Sequence, residues 1–222
     1  MFENIHWLGH DTFRLDGSST VYIDPWKLPA GARPADLILV THDHFDHFSA
    51  GDIARIGSAA TTLIGPAAVT DQASGLTTVT LAPGETTTVG GVTVTAVPAY
   101  NLDKFRCPGE PYHPREAGYL GYVIEMDGLR IYHAGDTDAI PEMSDVRCDV
   151  ALLPVGGTYT MTAEEAVEAC GLLNPHTVVP VHYEGWKHFR QPREKARLVF
   201  DSSPIASTLT WLQLGAPTLI EM

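Results

Sequence analysis

Three histidines and a spaced aspartate fall within one short run, His42-Asp43-His44-Phe45-Asp46-His47, directly after the aliphatic stretch Leu37-Ile38-Leu39-Val40. Imidazole and carboxylate together suit zinc, iron(II) or manganese, and neutral His is the commonest metal ligand. The aliphatic stretch is short and continuous, as a buried strand is. In the extended chain just beyond it, side chains two apart share a face, so His42 and His44 can converge on one ion. Asp46 and His47, past the bend, can point to a second. A solvated His-rich loop is the plain alternative, but the strand in front supplies the context a metal site requires.

At these residues the chain resembles the metallo-β-lactamase fold hydrolases, whose signature His42-x-His44-x-Asp46-His47 repeats. Further segments match in the expected order. Ile131-Tyr132-His133-Ala134-Gly135-Asp136-Thr137 is similar to the strand-end segment whose Asp bridges two metals, and Val179-Pro180-Val181-His182-Tyr183 to the strand end whose His completes the second site. Trp7-Leu8-Gly9-His10-Asp11-Thr12-Phe13 and Ile23-Asp24-Pro25-Trp26 resemble the opening hairpin of one branch, that of the ascorbate-6-phosphate lactonases and N-acyl-phosphatidylethanolamine phospholipases D. The resemblance implies a four-layer αββα sandwich and two divalent ions, zinc first, with manganese or iron also admitted. It implies His42 and His44 on the first ion, Asp46, His47 and His182 on the second, and Asp136 between them.

The match breaks at one donor. In much of this branch the third imidazole of the first site follows Pro-Ala-x-His, and here Pro98-Ala99-Tyr100 runs into Asn101. Three solutions stay open: Asn101 ligates through its amide oxygen, His113 folds back from the 101–118 loop, or the protein holds a single metal. His113 is the favoured donor, because zinc sites short of ligands are unusual. That loop is expected to roof the pocket.

Other residues fall around this set. His10 is a candidate pocket or supporting residue, although a packed core His is nearly as good a reading. His133 and Asp24, at strand ends, are candidates to orient ligands by hydrogen bonding, with a turn-forming Asp-Pro the simpler account of Asp24. Tyr183, Trp186 and His188 read as pocket wall, with His188 able to donate to a substrate oxyanion or phosphate. Gly156-Gly157 leads from a strand towards a capped helix and reads as a tight turn rather than an anion cradle.

At 222 residues and 44% hydrophobic, the chain can bury one large core, and the expectation is a single domain over 1–222. Fourteen basic against 27 acidic residues give a net charge of −13. That balance lowers the case for a nucleic-acid partner or an anionic lipid surface. No apolar run approaches the ~18–20 residues of a membrane span, and no secretion signal pattern opens the chain, so the expectation is cytoplasmic. Three scattered cysteines argue against a disulfide framework.

The elements that must position the donors alternate short β-rich runs with turns. Strands are predicted at 5–8, 12–15, 21–24, 37–40, 61–64, 77–81, 86–89 and 92–97. Further ones are predicted at 121–126, 130–133, 150–153, 178–181 and 217–221. Gly90-Gly91 and Asp127-Gly128 mark two-residue hairpins. Helices are predicted at 49–56, at 163–173 with a Thr162/Glu165 capping box, and at 192–200. Strands in the middle and helices at intervals fit an α+β sandwich of two sheets covered by helices.

Bound metal lowers the pKa of water towards ~7, so no side-chain nucleophile is needed, and none stands in a recognisable elbow. The expected function is a hydrolase using hydroxide held between two metals to cleave a small-molecule lactone, ester or phosphodiester. Asp46 or Asp136 would move the proton. The rivals are a scaffold or sensor with an inactivated site, and a di-iron redox protein that needs a flavin partner. A homo-oligomer is compatible with all three.

Overall fold

A computed structural model describes residues 2–183, 193–205, 210–211 and 217–220. Its first half runs β1 (Phe2–Gly9), β2 (Thr12–Asp16), β3 (Thr20–Ile23), β4 (Leu37–Leu39), α1 (Ala50–Ile56), β5 (Thr62–Gly65), α2 (Ala67–Thr70) and β6 (Thr77–Thr80). The next stretch holds β7 (Thr86–Val89), β8 (Val92–Pro98), a small hairpin of β9 (Phe105–Cys107) and β10 (Glu110–Pro111), then β11 (Leu120–Met126) and β12 (Leu129–His133). It ends with β13 (Val150–Pro154), α3 (Ala163–Leu173), β14 (Thr177–Val181), α4 (Arg193–Asp201) and β15 (Pro217–Ile220).

The strands form two mixed sheets, ordered β15-β1-β2-β3-β4-β5-β6 and β14-β13-β12-β11-β8-β7. Each combines antiparallel neighbours with a parallel run: β3 to β6 in the first, β12 to β14 in the second. Strand β4 shows how the layers arise. With side chains alternating across a sheet, Leu37 and Leu39 join the large core between the sheets, while Ile38 joins Ile53, Ile56 and Val69 of α1 and α2 on the outer face. On the far side Ala166, Ala169 and Cys170 of α3 and Ala196 and Phe200 of α4 cover the second sheet. The layer order is therefore αββα, the expected α+β sandwich.

Local signals explain most boundaries. Ser49 caps α1 by accepting from Asp52 N–H, and Thr162 and Glu165 form both bonds of the capping box on α3. Gly90-Gly91 and Asp127-Gly128 take the paired positive φ values that a tight hairpin demands. The hairpin β9–β10 and the short α2 had no counterpart among the predicted elements. β9 and β10 are only a few residues each, and alternation over so few positions carries no period. Among the described residues no helix is long and apolar enough to cross a membrane.

Candidate metal centre

The donors gather along one edge of the sandwich, where strands from both sheets end. From the first sheet come the β1–β2 corner with His10 and Asp11, Asp24 after β3, and the His42–His47 run after β4. From the second come Asn101 after β8, Asp136 after β12 and His182 after β14. Gly135 makes the turn into Asp136 at φ +64, where a side chain would meet the Leu120 carbonyl at 2.8 Å. His10, Asp24 and His182 hold left-handed backbone themselves, at φ +53, +45 and +56. Such strain persists only where surrounding structure overrides it, and it clusters at functional sites.

Among the described residues, four groups of candidate donor atoms lie within 4.8 Å of one another: His42, His47 and Asp136 form one, Asp11, Asp24 and His133 another, and the remaining two make up the main clusters. Of the main clusters, one is His42, His44 and His113; the other is His10, Asp46, His47 and His182. Asp136 lies between them: its Oδ2 is 3.3 Å from His113 Nε2, and its Oδ1 is 3.2 Å from His182 Nε2 and 3.5 Å from His47 Nε2. His42 Nε2 and His44 Nδ1 stand 3.0 Å apart. Two nitrogens sharing a tetrahedral zinc would be separated by roughly 3.3 Å.

The hydrogen bonds behind the donors set their tautomers. Thr41 Oγ1 donates to Asp24 Oδ2 at 2.6 Å, so its oxygen accepts from His42 Nδ1 at 2.9 Å. His47 Nδ1 donates to the same Asp24 oxygen at 2.7 Å. Both rings thereby turn an unprotonated Nε2 towards the cluster, the arrangement by which a carboxylate orients a ligating imidazole. Asp24 thus orients the His47 ring as well as forming a turn.

Asn101 takes a different part from that of a donor. Its Oδ1 accepts from His113 Nδ1 at 3.0 Å and from His113 N–H at 2.8 Å. Its Nδ2 donates to Asp138 Oδ1 and to the Tyr159 carbonyl. The amide is consumed in holding His113, whose Nε2 faces Asp136. Among the candidate donors for the third position, it is His113 that lies with His42 and His44.

Burial governs the protonation of the cluster. It holds His42 and His47 well below the ordinary imidazole value, aided by mutual repulsion, and lowers His182 as well. His113 is pushed down to about 3 by burial and the neighbouring His44. Burial, then the Asp46 charge, raises Asp136 to about 7. Asp46 goes the other way, because its bond to His10 Nε2 at 3.1 Å and the charge there outweigh its own desolvation.

Three features escaped the sequence reading. Asp11, fully buried, makes no side-chain hydrogen bond among the described residues and is raised to about 7 by burial. It lies 3.9 Å from His47 and 3.7 Å from His133. Tyr119 sets its ring 5.0 Å from that of His42, while burial and Asp43 raise its hydroxyl to about 12. Arg106, with Phe45, Tyr112 and Tyr159, lines the cavity above the donors. No local pattern announces any of them. His133 bonds the Asp11 carbonyl and accepts from Gly135 N–H, which supports the turn into Asp136. His188 and Trp186, expected as pocket wall, lie outside the described residues.

The model of the β-lactamase superfamily domain matches residues 4–182. A UPF0173 metal-dependent hydrolase of Thermococcus kodakarensis is 38% identical over a 219-residue alignment covering 90% of this chain and 94% of the relative. One from Methanoculleus marisnigri is 40% identical over 195 residues, covering 85% and 84%. The chain therefore belongs to the β-lactamase superfamily, in its family of UPF0173 metal-dependent hydrolases. The solved metallo hydrolase Igni18 of Ignicoccus hospitalis, 24% identical, shares the fold with a TM-score of 0.79 over 99% of both chains.

Proposed function

We propose that this chain hydrolyses a small-molecule lactone, ester or phosphodiester with two divalent ions held side by side. The observation that carries the reading is Asp136, buried between an all-imidazole cluster and a mixed one. The fit to metal rests on this chain's own atoms. His47 Nε2 and Asp136 Oδ1 are buried without a hydrogen bond among the described residues, and their clusters supply nitrogen and oxygen donors suited to zinc. His42, His44 and His113 would hold one ion, Asp46, His47 and His182 the other, and Asp136 both.

The ions would supply Lewis acidity and a nucleophilic water at neutral pH. In the net reaction the water oxygen joins the carbonyl carbon or phosphorus, the bond to the leaving oxygen breaks, and that oxygen takes a proton. Asp46 and Asp136 face the cavity where such a proton must pass. His10, bonded to Asp46, keeps that carboxylate oriented and charged. Asp24 and Asn101 hold the imidazoles.

The test is elemental mass spectrometry of protein purified without chelator or affinity metal, paired with a panel of lactones, esters and phosphodiesters. About two equivalents of metal and chelator-sensitive turnover are expected. Turnover by none of the panel with two metals bound would favour a scaffold or sensor instead.

A further inference from the structure

The cavity above the donors, of about 330 Å³, has walls of a chemistry unlike its floor. Phe45 stands on the rim, 64% exposed. Tyr112 and Tyr159 meet edge to face, centroids 4.7 Å apart. Over Tyr112, 5.8 Å from its centroid, sits the guanidinium of Arg106 on β9. It is the one cation among the described lining residues.

Arg14, Arg33, Arg55, Arg115 and Arg197 each reach a carboxylate. Arg106, like Arg130 and Arg147, has no carboxylate partner among the described residues, in a chain where acidic residues outnumber basic ones 27 to 14. Of these three it alone lines the cavity above the donors. The Arg106 guanidinium lies within cation–π range of Tyr112, and no carboxylate among the described residues occupies its donor fork. A guanidinium fork matches carboxylate and phosphate oxygens in pairs. Tyr112 directly precedes His113, so the recognition element and a candidate metal donor share one segment.

Resting on the hydrolase reading above, we propose that Arg106 determines specificity. The substrate carries an anionic group, a carboxylate or phosphate monoester, on an aromatic or apolar body that lies against Phe45, Tyr112 and Tyr159. The scissile bond then faces the donors while the anion stays at the rim.

The experiment compares three acetate esters on the metal-loaded protein: 4-acetoxybenzoate, 4-acetoxyphenyl phosphate and neutral 4-acetoxybenzamide. For Arg106→Ala, the KM of at least one anionic ester should rise roughly tenfold or more relative to that of the amide. Arg106→Lys should recover part of the loss, and the anion hit harder identifies the group recognised. If charged and neutral esters shift together, or neither shifts, the proposal is overturned. If the wild type turns over none of the three, calorimetry with benzoate and phenyl phosphate separates the two ideas. Tenfold weaker binding to Arg106→Ala would uphold Arg106 while counting against the hydrolase reading. Equal binding, or none to the wild type, would remove Arg106.

Discussion

One donor cluster is all imidazole, His42, His44 and His113; the other sets a carboxylate, Asp46, among His10, His47 and His182. Their construction differs as much as their chemistry. The mixed cluster is built from strand ends and the bends just after them, with left-handed backbone at His10 and His182 and the buried Asp24 carboxylate behind His47. The imidazole cluster takes its third member from a connection between β8 and β11, and Asn101 fixes it with two hydrogen bonds. The sheet ladders set one site almost directly, whereas the other depends on a clamp.

The sharpest way to break this comparison is to remove what the clusters share. Asp136→Ala should lower hydrolysis on the order of a thousandfold or more and reduce bound metal to one equivalent or fewer. Two equivalents with full turnover would mean that the clusters work independently. Asp24→Asn should weaken the ion of the mixed cluster about 10–100-fold through His47, and that of the imidazole cluster less, because Asp24 reaches His42 only through Thr41. A competition titration with a chromophoric chelator would resolve one strongly weakened site and one weakened less. Asn101→Ala should do the converse, freeing His113 and weakening the imidazole cluster about tenfold, with Asn101→Asp retaining an acceptor for Nδ1. Equal weakening of both sites by either variant would dissolve the distinction.

Acidity should separate the shared carboxylate from the imidazoles. With Asp136 raised to about 7 in the metal-free protein, an ion binding below that pH must displace its proton. Apparent affinity should therefore fall about tenfold per pH unit below about 7 for each proton released, and level off above it. His113, held down to about 3, releases no proton over the same range. Calorimetry in buffers of different ionisation enthalpy would count the protons. The smallest effect is expected far from the edge: Thr162→Ala removes a cap from α3, costing about 1 kcal/mol and lowering Tm by about 2–4 °C. Metal content should not change.

Much of this was legible in the chain. The resemblance at His42–His47 implied the αββα layering, the continuous aliphatic run Leu37-Ile38-Leu39 marked a buried strand, and the turn pairs Gly90-Gly91 and Asp127-Gly128 mark their own hairpins. Helix α3 carries its cap in Thr162 and Glu165. The hairpin β9–β10 was not legible, because its strands are too short for any periodicity to register. Nor was Asp11, whose importance lies wholly in what packs around it. His10 was undervalued for the same reason: its partner Asp46 is 36 residues away.

The sequence by itself determined which donors stand together locally: His42 and His44 two apart in extended chain, Asp46 and His47 past the bend, Asp136 and His182 at strand ends. Those relations depend on a few backbone dihedrals, which neighbouring residues dictate. Only the tertiary structure decided that His113 turns its imidazole to Asp136 while Asn101 holds the ring, that Asp24 orients His47, and that Arg106 stands over the cavity. Each of those contacts joins residues far apart in the chain, and sheet order decides which of them meet.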